Sequence, residues 1–456
     1  MMESQNRWFA ILFIMALSST MTTGAAARLA EGPEDQNRSP GESINGEWLI
    51  TREVYGNSLY QRMTLKGENG KLTGAFAGDT LEGTVEGNAL HFLARNRDND
   101  TSEFTGVVAE GKISGKLVRT SGSDPGMKEE EKLTATRPPE PRPGPPQHHE
   151  FTPTTFYRQF SASNQPVLEI APGDSVHTTT VDAGGTDEHG VKRVLGGNPE
   201  TGPFFVQTAW PGDTLVVHFT RIRLSRDYAI SDDAVVDRAL DSDLAVKMKD
   251  GGKLVRWHLD RERLVATSEK PGNHLQKFMV PLHPMLGCVA TAPGFASAPP
   301  PTGDSGHYGG NMDFNDIVEG VTVYLAVNQP GALLYVGDGH AAQGDGELNG
   351  NALETSMEVE FTVDVIHNKR IRTPRVESDS SIMTVGLGGS LEDALRDATG
   401  AMSEWLEQDY GLTPSEVAQV LGTSAELKIS EVADRNAGVA AKLSKMRLAP
   451  LTRTKH

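Results

Sequence analysis

The densest run of reactive side chains is residues 336–347, VGDGHAAQGDGE. Asp338, His340, Asp345 and Glu347 are four groups able to bind a cation or move a proton, with Gln343 among them. Glycines at 337, 339, 344 and 346 let the backbone turn tightly enough to bring those groups together. Asp338 and His340 are two positions apart, so an extended segment presents both on one face. Carboxylate oxygen beside imidazole nitrogen suits zinc or a similar divalent ion. The alternative is a polar surface loop with a calcium-like look, although the EF-hand spacing is not matched.

Three further segments carry candidates. In 305–313, SGHYGGNMD, Asn311 and Asp313 alternate onto one side behind a glycine pair; the competing reading is a turn held by Asx hydrogen bonds. In 280–288, VPLHPMLGC, His283 is presented rigidly between two prolines, while Cys288 has apolar neighbours and reads as a buried, inert thiol. Asp182 and the NPETGP segment 198–203 are weaker candidates. The chain has no Gly-x-Ser-x-Gly elbow and no His-Glu-x-x-His helix, which argues against serine-hydrolase and zincin chemistry.

The elements that must position these groups follow from patterning. Length, 456 residues, suggests two to three domains. The formal charge of −18, from 43 basic and 61 acidic side chains, disfavours nucleic acid and anionic lipid as partners and favours cations. Residues 1–27 read as a signal peptide: Arg7, an apolar stretch over 8–17, and Ala25, Ala26 and Ala27 as the cleavage site. The expected location is therefore periplasmic or secreted. A single cysteine permits no internal disulfide. After the leader no continuous apolar run is long enough to span a bilayer.

Residues 28–42 form a polar tail, and 43–137 then change character. About eight short alternating runs are separated by turn residues such as Asn69-Gly70, Gly87-Asn88 and Glu110-Gly111, and several share an apolar-Thr/Ser-Gly pattern. A small barrel or sandwich is expected. Residues 138–150, PPEPRPGPPQHHE, predict a stiff extended linker with His148 and His149 solvated. Residues 151–450 read as a β-rich body with a helical finish, an α+β arrangement overall. Ser390 caps a helix with Leu391, Ala394, Leu395, Ala398, Met402, Trp405 and Leu406 on one face. Gly411 stops it, and Thr413 to Glu416 start a second helix.

Taken in order, NPETGPFFVQTAWPGD (198–213), HPMLGCVATAP (283–293), HYGGNMD (307–313), YLAVNQPGALL (324–334), VGDGHAAQGDGE (336–347) and the helical tail over 390–432 resemble the acetamidase/formamidase family. The resemblance runs from about residue 154 to 448. It implies a mixed β/β/α body, hydrolysis of short aliphatic amides such as formamide or acetamide, a homo-oligomer and a divalent metal, zinc ahead of calcium. Asp313, Asp338, His340, Gln343, Asp345 and Glu347 match motif positions, and His283 and Asp182 fall in matching segments. The expected metal ligands are Asp338, His340, Asp313 and Asp182. Glu347, Asp345 and His340 are the expected acid–base groups, and Gln343, Asn311 and His283 are expected to contact substrate. The leader and the front β-domain depart from the family pattern. So does the stretch 225–270, which could line the substrate pocket. The rival reading is an exported binding protein whose front domain captures a ligand.

Overall fold

The computed structural model describes residues 44–294 and 298–453. The leader over 1–27 and the polar tail lie outside the described residues. The front domain is a closed barrel of β1 (Gly46–Val54), β2 (Asn57–Glu68), β3 (Lys71–Phe76), β4 (Asp79–Glu86), β5 (Ala89–Arg95), β6 (Thr101–Ala109), β7 (Lys112–Thr120) and β8 (Lys128–Thr136). Neighbours are antiparallel, and pairing of Leu49 with Thr136 on β8 closes the ring. The predicted turns hold: Asn69 and Gly70 sit at φ 51° and 78°, and Glu110 and Gly111 at 51° and 72°.

The recurrent Thr/Ser-Gly pattern has a steric cause. A Cβ at Gly74 would strike the carbonyl of Thr64 on β2, and one at Gly115 the carbonyl of Thr105 on β6. Backbones approach too closely there for any other residue, which lets a small sheet curl shut. The interior is filled by Trp48, Phe92, Phe104, Leu117 and Leu133, all with no exposed surface, and Phe92 stacks on Phe104 at 5.0 Å. These side chains occupy the space that a captured ligand would need.

The linker is pinned at its end: His148 remains exposed as expected, while His149 is partly buried, which corrects the expectation of a solvated side chain there. His148–Phe151 is a strand, pairing in parallel with Ser175–Thr179. The linker's last proline is Pro146, so residues 147–151 each have an N–H to donate. Buried Asp174 gathers the segment: it accepts from Gln147 N at 2.7 Å and Arg142 at 2.9 Å, and lies 3.1 Å from His149 Nε2. A second clamp ties the barrel to the body. Arg62 of β2 reaches Asp213 at 2.6 Å, and Trp210 meets Tyr60 edge-on with ring centroids 5.4 Å apart.

The body contains a nine-stranded and a twelve-stranded sheet around one apolar core that includes Phe204, Phe219, Leu325, Val336 and Phe361. The helix Leu391–Tyr410 covers the nine-stranded sheet, with Ala398, Met402, Trp405 and Leu406 packed on Ile382 and Leu443. Its predicted caps are present. The Ser390 side chain accepts from Asp393 N, Gly411 takes φ 66°, and Thr413 and Glu416 form a reciprocal capping box. No helix among the described residues is long and apolar enough to cross a membrane.

Candidate metal and acid–base centre

Strand Leu334–His340, buried throughout, forms the floor of the site. It runs between Met285–Ala290 and the short strand Glu354–Thr355, in a register that sets His340 opposite Glu354. Cross-strand partners have adjacent Cβ atoms, and His340 Nε2 accordingly lies 3.3 Å from Glu354 and 3.4 Å from Asp338. Asp313 enters from the following loop of the 309–311 strand, with Oδ1 3.9 Å from His340 Nδ1. Three of the carboxylates are aimed by unusual backbone: Asp313, Asp338 and Glu347 hold φ of 40°, 49° and 47°. Such conformations cost on the order of 1 kcal/mol and persist where the surroundings over-determine them. Gly287 makes room, because a Cβ there would collide with the carboxylates of both Asp338 and Asp313.

Gln343 decides the state of the imidazole. Its Nε2 donates to the backbone carbonyls of Asp313 at 2.6 Å and Ser430 at 3.2 Å, which turns its Oε1 toward His340 Nδ1 at 2.8 Å. An amide oxygen can only accept, so Nδ1 carries the proton and donates. In the neutral ring the Nε2 lone pair then faces Asp338 and Glu354. Nε2 makes no hydrogen bond of its own despite the short separations, and Asp313 Oδ1, Asp338 Oδ1 and Glu354 Oε2 are likewise buried without a partner. Ligand atoms of Asp338, His340 and Glu354 fall within 4.8 Å of one another, as do those of Asp313, His340 and Glu347, and of Asp313, Glu431 and Asp434. Unpaired buried acceptors in such number call for cations or protons. The residues therefore fit a divalent ion.

Electrostatics agree. Burial, then the charges of neighbouring carboxylates, pushes Asp313, Glu347 and Glu200 well above the usual carboxylate range. Burial and Asp338 raise Glu354 to about 8. Burial and Asp434 raise Glu431 to about 9, and burial lifts Asp434 itself to about 6. For His340 burial opposes the charge, but Glu354 and Asp338 outweigh it and the imidazole rises well above its ordinary value. Burial, with Glu200 beside it, also raises the Cys288 thiol, in keeping with an inert buried cysteine.

The structure gathers Asp313, Asp338, His340 and Glu347, and reassigns the other candidates. Asp182 is near Glu354 but is locked to Arg226 at 2.6 Å and to Thr186 N at 2.8 Å, so its oxygens are already spent. Asp345 points outward, held by Asn315 at 2.9 Å and Lys428 at 3.5 Å, because the loop turns at Gly346 between it and Glu347. His283 is exposed beside the loop, its main-chain N–H bonded to Ala341 O. Gln343 and Asn311 orient the buried centre, Asn311 Nδ2 donating to Asp313 and Asp434, both at 2.8 Å. Sequence reasoning missed Glu354, Glu431 and Asp434. It touched Glu200 only through the 198–203 segment. Glu354 alone had a local signal, lying just past the glycine-rich loop.

Residues 296–437 match the model of the Acetamidase/Formamidase family. The resemblance read from the motif strings is borne out by solved structures as well. The chain is 26% identical to a predicted acetamidase/formamidase from Thermoanaerobacter tengcongensis, over 67% of this chain and 98% of that one, with a TM-score of 0.55. It is 26% identical to an acetamidase from Bacillus halodurans, covering 66% of this chain and 99% of that one at a TM-score of 0.55. With an acetamidase from Yersinia enterocolitica the values are 27%, 66%, 93% and 0.57. Comparison with curated proteins returns no match. The acetamidase-like body thus accounts for about two thirds of the chain.

Proposed function

We propose that this chain is an exported, metal-dependent amidase that hydrolyses a small amide to its carboxylic acid and ammonia. The observation that carries the reading is the sealed set of unpartnered carboxylate oxygens around a histidine whose Nδ1 is fixed by Gln343 and whose Nε2 faces Asp338 and Glu354. Asp338, His340 and Glu354 would hold the ion, with Asp313 and Glu347 adjoining. A divalent ion in such a site supplies Lewis acidity, polarising a carbonyl and acidifying water. The imidazole nitrogen favours zinc over calcium.

Amide hydrolysis breaks the C–N bond, adds the water oxygen to the acyl carbon and delivers a proton to the departing nitrogen. Glu347, buried beside Asp313 and His340, is the group to take the proton from water and return it to the leaving amine. Gln343 fixes the histidine tautomer, and Asn311 holds the Asp313 carboxylate in place. The leader segment supports export, and the resemblance supports a homo-oligomer.

Ammonia release by the chain lacking residues 1–27, measured on acetamide and formamide with and without chelator and added zinc, tests the proposal. Chelator-sensitive release restored by zinc is expected. Full release after exhaustive chelation, with no metal found by elemental analysis, would remove the metal from the account.

A further inference from the structure

We infer that the cavity behind Gln343 is an acyl pocket, and that the substrate is a primary amide with a neutral aromatic acyl group. The inference rests on the amidase reading and specifies its substrate. The cavity measures about 500 Å³ and has Trp257, Phe278, Val280, Asn315, Gln343 and Lys428 in its walls. That volume lies in the range that holds ring-sized ligands, far beyond what acetamide fills.

Three observations tie the cavity to the centre and set its chemistry. First, Gln343 is a shared wall: the residue that lines the cavity also bonds His340 Nδ1 and the Asp313 carbonyl. An amide seated against Gln343 is one side chain from the candidate ligands. Second, part of the wall is aromatic. Trp257 is anchored through Nε1 to Ser231 Oγ at 2.9 Å and meets Phe278 edge-on, with centroids 6.5 Å apart. Phe278 nevertheless remains 52% exposed and its neighbour Met279 47%. Apolar surface held at a cavity mouth gains most when a ring covers it. Third, the charge in the wall is already matched. Lys428 lies 3.0 Å from Asp316 and 3.5 Å from Asp345, so the lysine calls for no charged acyl tail, and exposed His283 adds a polar group to the same wall.

The ratio of kcat/KM for phenylacetamide to that for acetamide, measured by ammonia release on the leaderless full chain, tests the inference. A ratio of about ten or more is expected. Phe278→Ala should lower it roughly threefold, and Trp257→Ala roughly tenfold or more. Trp257→Phe keeps a ring in the wall and should retain most of the ratio, which guards against a variant that simply fails to fold. Turnover of acetamide with a ratio below one, or one ratio shared by all variants, would overturn the acyl pocket and leave the amidase reading intact. Silence on both amides would overturn the two together.

Discussion

The barrel and the acid–base centre are both shut away from water, yet they are built from opposite materials. The barrel interior is a ring of apolar side chains, and the buried pair of Arg52 with Glu131 at 2.6 Å sets a cation against a carboxylate within the barrel. The centre places Asp313, Asp338, Glu200, Glu347, Glu354 and Glu431 in the interior of the body around one imidazole. Apolar burial stabilises by itself. Carboxylate burial opposes folding unless something compensates it. The barrel is therefore a stable module, and the centre is a region whose stability depends on what it binds.

That contrast can be broken or sharpened by measurement. The largest effect is expected from His340→Ala, which removes the only imidazole from the centre. Activity should drop by about a thousandfold or more, with zinc content lost and the melting temperature lowered, because the buried carboxylates lose both the imidazole and the ion. A drop in activity with metal content intact would separate His340 from the ion. Phe104→Ala, in the stacked barrel pair, should cost about 3–5 kcal/mol of stability. Its turnover per folded molecule should persist, as read by denaturant unfolding beside an ammonia assay.

Gln343→Ala should weaken metal affinity by about ten- to hundredfold, because the tautomer is no longer fixed. Gln343→Glu keeps an acceptor for Nδ1 and should recover part of that loss; equal defects in both variants would leave Gln343 a packing residue only. Arg62→Ala leaves Asp213 with its backbone donors Trp210 and Asn368 but without its guanidinium. It should cost about 1–2 kcal/mol and loosen the barrel, measured as faster proteolysis in the linker.

The smallest effect concerns pH. Glu354 and Glu431 have folded-state values raised to about 8 and about 9, above the ordinary 4.5. The folded chain keeps protons there that the unfolded chain releases. Stability is thus greatest below the ordinary carboxylate value and declines as pH climbs toward the raised ones. Metal-stripped protein should melt a few degrees lower at pH 8 than at pH 5, and zinc should flatten the trend. A rising melting temperature over that interval would mean that the carboxylates are compensated in another way.

How much of this was legible in the chain differs between the same two regions. The barrel strands could be read almost residue by residue, since alternation and turn glycines are local signals and neighbouring strands pair with each other. The 336–347 loop was legible for the same reason. The pairing of His340 with Glu354 was not, because register across a sheet is set by packing and leaves no mark at fixed spacing. Glu431 and Asp434 lie in a segment that reads only as a return strand, yet they meet Asp313 from more than a hundred positions away. The linker was misread at its end because proline content was weighed over the whole segment, whereas strand pairing needs only the N–H groups after Pro146.

The order of modules, the barrel and its turns, the helix caps, and four members of the centre, Asp313, Asp338, His340 and Glu347, can be read along the chain. Which carboxylates complete that centre and which merely flank it depends on how distant strands pack. Hydropathy and turn chemistry act between near neighbours and are written along the chain. The company a buried charge keeps is decided by strands brought together from distant positions, and by whether each oxygen already has a donor.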